Sequence, residues 1–261
     1  SSTGTAITHV HAITRDTVTG GGAGAGAGAG TILLATHEGL FDITKSPGTR
    51  IGDTNDLMGF TAAADQGVFY ASGHPGPGSD LPNPLGLIKS VDGGKTWEQL
   101  SRQGESDFHA LAATKSGIVG YDGALRTSPD GKTWAEVPAD FAPAVLAGTP
   151  ASDTVLATTR DGLQRSSDGG KTWALVPNAP VIQFAAFATG TEVIGVEPDG
   201  AVQYSADAGT TWIQTGSIQG QVQAITAVKK GDGKPQIWAA TTEGIRVSDD
   251  SGMVFRAPTA G

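Results

Sequence analysis

Apolar and polar residues alternate along this chain in short runs, and each run ends at Gly, Asp or Ser. The stretch from residue 108 to 137 shows the pattern. FHALAAT (Phe108–Thr114) is followed by GIVGYD (Gly117–Asp122), GALRTS (Gly123–Ser128) and KTWAEV (Lys132–Val137). Runs of this length, rich in β-branched and aromatic residues and bounded by turn formers, predict four short β-strands, A to D. The same order recurs along the sequence. Six A strands are expected, near Ile7–Ile13, Leu57–Ala63, Phe108–Thr114, Ala144–Gly148, Val181–Ala188 and Val222–Val228.

The turn before strand D carries the clearest mark. It reads SVDGGKTW (Ser90–Trp97), SPDGKTW (Ser128–Trp134), SSDGGKTW (Ser166–Trp173) and SADAGTTW (Ser205–Trp212), with a decayed copy, SDDSGMVF (Ser248–Phe255). Its aspartates are spaced by 38, 38, 39 and 43 residues, from Asp92 to Asp250. A period near 40 residues fits one four-stranded propeller blade per repeat. The sequence therefore predicts an all-β, six-bladed β-propeller of four-stranded antiparallel blades, as one domain over residues 1–261. Whole blades at both ends put ring closure on packing of blade 1 against blade 6.

Within the octapeptide the chemistry is structural. The Asp carboxylate accepts backbone N–H groups of its own turn, Gly supplies the left-handed conformation, and Trp buries a broad face as strand D opens. Asp92, Asp130, Asp168 and Asp207, with Trp97, Trp134, Trp173 and Trp212, are thus read as turn and packing residues. A carboxylate repeated in every blade is a poor catalyst, since a catalytic group is needed once.

The B–C turns have a signature of their own, an acidic residue before Gly at Glu38, Asp122, Asp161, Asp199 and Glu243, which is a strong hairpin signal. Blade 2 instead inserts GHPGPGSDLPNPLG (Gly73–Gly86), a proline-rich loop that either walls a pocket or caps the channel. Blade 1 replaces the octapeptide with KSPGTR (Lys45–Arg50). It also carries GGGAGAGAGAG (Gly20–Gly30), read as an extended hairpin loop.

Charge and composition narrow the partners. The net charge of −9 disfavours phosphate backbones, so nucleic acid is not expected as a partner. No run of apolar residues is long enough to span a membrane. Cysteine is absent, which excludes disulfides, thiolate metal sites and a cysteine nucleophile. The chain opens on SSTGTA, read as a mature or trimmed form, and a monomer is expected.

All five histidines fall in the first 109 residues: His9, His11, His37, His74 and His109. Aligning A strands sets His11-Ala12-Ile13 beside His109-Ala110-Leu111 and Gln223-Ala224-Ile225, a polar rim facing the channel. His37 lies at a B–C turn and His74 at the base of the insertion. Strand alternation puts these positions on the face opposite the octapeptides. In one reading His9, His11, His37 and His74 ligate Zn²⁺, Cu²⁺ or Ni²⁺, with Glu38, Asp80 or Asp107 nearby and His109, Glu38 and Asp107 as a possible additional site. In the other they line the channel and hydrogen-bond to one another, to water and to loop carbonyls.

The octapeptides match the Asp box, and the chain resembles the Asp-box (BNR-repeat) propellers. That family includes sialidases, other glycosidases, sortilin-like receptors and photosystem assembly factors. A sialidase reading is disfavoured. Arg126, Arg165 and Arg246 occupy equivalent C-strand positions, so they look like repeat residues and not a converging triad. The positions His9, His11, His37, Glu38, Gly39, His74, Pro82, Pro84 and Gly86 are similar to a group of exported bacterial proteins labelled glycosyl-hydrolase-like. That resemblance implies an extracellular, periplasmic or surface-attached protein with a site at those positions. Three functions follow: a binding module for a small ligand, metal, glycan or protein; a glycoside hydrolase using carboxylates among Glu38, Asp107, Asp80 and Glu243; or an assembly scaffold.

Overall fold

The computed structural model describes residues 7, 9–16, 30–45 and 47–259, and within them every regular element is a strand. The Gly20–Gly30 segment, expected as an extended hairpin loop, lies almost wholly outside the described residues. Blade 1 is β1 (Val10–Asp16), β2 (Thr31–Thr36), β3 (Gly39–Asp42) and β4 (Thr49–Ile51). Blade 2 is β5 (Asp56–Ala62), β6 (Phe69–His74), β7 (Leu87–Ser90) and β8 (Glu98–Ser101). Blade 3 is β9 (Ala110–Ala113), β10 (Ile118–Tyr121), β11 (Leu125–Ser128) and β12 (Ala135–Val137). Blade 4 is β13 (Val145–Thr149), β14 (Ser152–Thr159), β15 (Gly162–Ser166) and β16 (Ala174–Leu175). Blade 5 is β17 (Phe184–Phe187), β18 (Val193–Val196), β19 (Ala201–Ser205) and β20 (Ile213–Ser217). Blade 6 is β21 (Val222–Lys229), β22 (Pro235–Thr241) and β23 (Gly244–Ser248).

Every sheet is an antiparallel meander in chain order, so the protein is a six-bladed β-propeller. One expectation needs correction: blade 6 has three strands, not four. Where strand D should run, pairing shrinks to a single bridge, Val247 with Arg256. Pro258 follows two residues later and has no N–H to offer a ladder.

The core is divided among the blade junctions. One apolar cluster fills each of them, such as Leu40 and Ala35 of blade 1 against Leu57, Phe69 and Ile88 of blade 2. The closing junction is built the same way. Val10, Ile13, Leu34 and Phe41 meet Ala224 and Ala240, and Trp238 packs beside them. Among the described residues no strand of one end pairs into the sheet of the other. Closure between blades 1 and 6 therefore rests on side chains, supplemented by the Val10 amide donating to Gln223 Oε1 at 3.2 Å.

The octapeptide turns share one wiring. In blade 2, Ser90 Oγ accepts the Gly94 amide at 2.8 Å and donates to Asp92 at 2.9 Å. Asp92 in turn accepts the Thr96 amide at 2.9 Å and its hydroxyl at 2.6 Å. Gly94 is required there: its φ is +88°, and a Cβ would lie 2.3 Å from Leu40 of the preceding blade. The four tryptophans stand just before strand D and are partly buried against the junction clusters. In blade 6, Asp250 keeps its bonds to Ser248 and the Val254 amide, but valine has no hydroxyl to add.

These bonds hold Asp92, Asp130 and Asp207 at a pKa of about 2, chiefly through Thr96, Thr133 and Thr211. In Asp168 burial is the largest single influence and raises the pKa, but the bonds from Thr172, Ser166 and the Lys171 amide together outweigh it, and the result is again about 2. A carboxyl lowered from 3.8 contributes stability that is complete above pH ~4 and lost as pH falls through ~2. The melting temperature is therefore expected to drop between pH 4 and pH 2. Replacing the four aspartates with asparagine should shrink that drop; an unchanged drop in thermal melts would assign the acid sensitivity elsewhere.

Candidate metal centre at the channel mouth

The A strands line the channel, and three of them enter it with the same irregularity. β1 has a bulge between Val10 and Ala12, β5 between Leu57 and Gly59, and β21 between Val222 and Ala224. The extra residues are His11, Met58 and Gln223. A bulge re-aims a side chain that regular pairing would send elsewhere. His11 and Met58 line a cavity of about 160 Å³ at this end of the channel, together with His109, Phe184 and Ile225.

His37 is delivered by the β2–β3 turn. Thr36 Oγ donates to the Gly39 carbonyl at 2.8 Å and accepts the Glu38 amide at 3.0 Å, and Gly39 takes a φ of +107°. This tight turn holds the imidazole over the start of β1. His9, His11 and His37 then present ring nitrogens that all lie within 4.8 Å of one another. His11 Nε2 is 3.1 Å from His37 Nδ1, and their rings are near-perpendicular at 88°. His9 lies over His37 with 5.3 Å between centroids, and its Nδ1 is 3.5 Å from the Gln223 amide nitrogen.

Asp56 at the start of β5 completes this group. Its Oδ1 is 3.0 Å from His37 Nδ1 and 3.6 Å from His11 Nε2. Burial lowers the His11 pKa to about 4, helped by the neighbouring His37 and opposed by Asp56. The His11 ring is therefore neutral at ordinary pH, the state in which imidazole ligates a metal.

The remaining two histidines form a second group. His74 Nε2 and His109 Nε2 both face Asp107 Oδ2, at 3.0 and 3.1 Å. His74 Nδ1 lies 2.7 Å from Asn83 Oδ1, inside the proline-rich loop. Asn83 raises the His74 pKa, burial opposes it, and Asp107 and Asp56 add to the rise. The two groups thus lie within electrostatic reach along blades 1 to 3. Of the four histidines expected to share one centre, the structure brings together His9, His11 and His37 and sets His74 apart beside Asp107. Glu38, Asp80 and Glu243 are exposed at turns or in the loop.

Asp56 went unread in the sequence, although a signal for it existed. It stands two residues before the bulge residue Met58, as His9 stands before His11, Asp107 before His109 and Gln221 before Gln223. Asn83 had no such signal, because its place depends on the path of an irregular loop.

No protein-family model and no curated protein matches this sequence. Solved structures match the fold. A GH74 xyloglucanase from Xanthomonas campestris aligns with a TM-score of 0.58 and 16% identity over 87% of this chain. A GH74 enzyme of Niastella koreensis gives 0.55 and 15% over 89%. The extracellular domain of a putative hybrid two-component system from B. thetaiotaomicron gives 0.57 and 13% over 95%. This chain spans 37%, 36% and 33% of those proteins, respectively. At such identities the likeness is one of fold. Among the described residues no helix is long and apolar enough to cross a membrane.

Proposed function

We propose that this protein is an exported binding propeller of the Asp-box kind, whose channel mouth holds a transition-metal ion on His9, His11 and His37, with Asp56 orienting the rings. The convergence of three imidazoles, two from the start of β1 and one from the β2–β3 turn, with His11 kept neutral chiefly by burial, carries this reading. An imidazole set of this kind suits Zn²⁺ or Cu²⁺. It leaves coordination positions open toward the channel, where a small ligand, a glycan terminus or a partner side chain would bind. Location outside the cytoplasm is supported by a fold shared with an extracellular domain.

The test is a thermal melt of untagged, chelator-treated protein with added Zn²⁺ or Cu²⁺. An ion at ~100 times its dissociation constant stabilises the native state by about 2.7 kcal/mol. A rise in melting temperature that vanishes in His11→Ala is the expected result. No rise with either ion would overturn the reading.

A glycan hydrolase at the same face is the second reading, favoured by the two GH74 neighbours. It needs two carboxylates ~5–5.5 Å or ~6.5–9.5 Å apart across the scissile bond. Asp56 and Asp107 are instead each engaged by two imidazoles. Turnover of aryl glycosides that Glu38→Gln or Asp107→Asn abolishes would establish it; absence of turnover across such a screen would remove it.

A further inference from the structure

We infer that His74, Asp107 and His109 form a second divalent transition-metal site, separate from the imidazole cluster of blade 1. The inference extends the metal reading to a second place in the mouth and does not require the first cluster to bind. It rests on which atoms can carry protons.

The Asn83 side-chain carbonyl only accepts, so the His74 Nδ1 that meets it at 2.7 Å must donate. The His109 Nδ1 faces the Asp107 backbone carbonyl at 3.2 Å, and a carbonyl again only accepts. Both rings are thereby set in the tautomer with hydrogen on Nδ1. In the neutral state their Nε2 atoms carry bare lone pairs. Those lone pairs point at Asp107 Oδ2 from 3.0 and 3.1 Å. Each nitrogen lone pair thus meets a carboxylate oxygen, and such a pair of acceptors repels unless a proton or a metal cation lies between them.

Two features favour a metal over added protons. Ligands held ~2.1 Å from a tetrahedral ion stand ~3.4 Å apart, and the two nitrogen–oxygen separations approach that value. The outer bonds are also those of a metal site. Ligating histidines ordinarily give their second N–H to a carbonyl or carboxylate, which fixes the ring. Here an amide carbonyl and a backbone carbonyl do so. Asp107 adds a further sign: its Oδ1 is buried and has no hydrogen-bond partner among the described residues, so it is free to chelate. Two imidazoles and one carboxylate suit Zn²⁺, Co²⁺ or Fe²⁺ and leave positions open toward the mouth.

The experiment is equilibrium binding of Zn²⁺ to the untagged, chelator-treated full chain, repeated with Co²⁺ and read by its visible absorption. Wild type is expected to bind two equivalents. Asp107→Asn should bind one, with circular dichroism unchanged, and His37→Ala should bind the other one. His109→Ala, at a side chain 58% exposed, repeats the Asp107 test should that variant fold poorly. One equivalent that survives Asp107→Asn and is lost in His37→Ala overturns the second site and leaves the blade 1 reading standing. One equivalent with the reverse pattern supports the second site and overturns the first. One equivalent lost in both variants means a single shared centre, and none at all means no metal; either result overturns the inference.

Discussion

Phe108→Ala is expected to destabilise the propeller by about 3–5 kcal/mol, the usual cost of removing a buried aromatic ring. Phe108 has no exposed surface and sits at the junction of blades 2 and 3. It packs with Leu87, Leu111 and Ile118 and stacks on Trp134 with 4.7 Å between centroids. Its backbone amide donates to Ser72 of blade 2 at 2.9 Å. The site has little room to collapse. Gly120 beneath the ring approaches so closely that a Cβ there would lie 2.7 Å from it, so the surrounding backbone is already in contact. The cavity left behind would largely persist, which is the condition for the upper part of that range. Phe108 also separates Asp107 from His109. Loosening it should degrade the second histidine group before the blade 1 cluster, whose supports are β1, β2 and β5. Urea unfolding monitored by circular dichroism measures the loss. A loss below ~1 kcal/mol would show that the junction repacks, and that the wedge clusters do not hold the blades as described.

The repeat was legible because turn chemistry is local. Ser, Asp, Gly and Thr at fixed offsets make the same bonds wherever they occur, so the octapeptides marked five blades and their period, while the six A strands supplied the number of sheets. The missing strand of blade 6 was not legible in that way. Val254 and Phe255 stand where the motif has Thr and Trp, yet the decayed turn still forms around Asp250. Strand D fails a few residues on, where Arg256 makes one bridge before Pro258. The site was half legible. Aligning A strands set His11 and His109 at one rim, but alignment describes regular strands. The bulge that turns His11 into the channel, and the loop path that sets Asn83 behind His74, depend on tertiary contacts that no spacing encodes. The grouping of His74 with Asp107 follows from that loop path.

Removing one imidazole from the blade 1 cluster should weaken Zn²⁺ binding there by about 100-fold or more, beyond the 10–100-fold typical of an outer-shell change. His37→Ala is the sharper variant, because His37 lies between His9, His11 and Asp56 and is exposed enough that its loss leaves no large cavity. Asp56→Asn tests a different role. Asp56 acts on His11 in the direction that favours protonation. Removing its charge therefore lowers the His11 pKa further and leaves that ring no less ready to ligate. Any affinity lost in Asp56→Asn then comes from ring orientation or from a lost ligand, not from proton competition at His11. Competition titration against a chromophoric chelator, in a background of Asp107→Asn to silence the neighbouring group, resolves the two. A ~10–100-fold loss makes Asp56 a positioning residue. A loss equal to that of His37→Ala makes it a ligand. Affinity unchanged in both variants would remove the blade 1 cluster as a metal centre and leave its imidazoles as hydrogen-bonding lining of the channel.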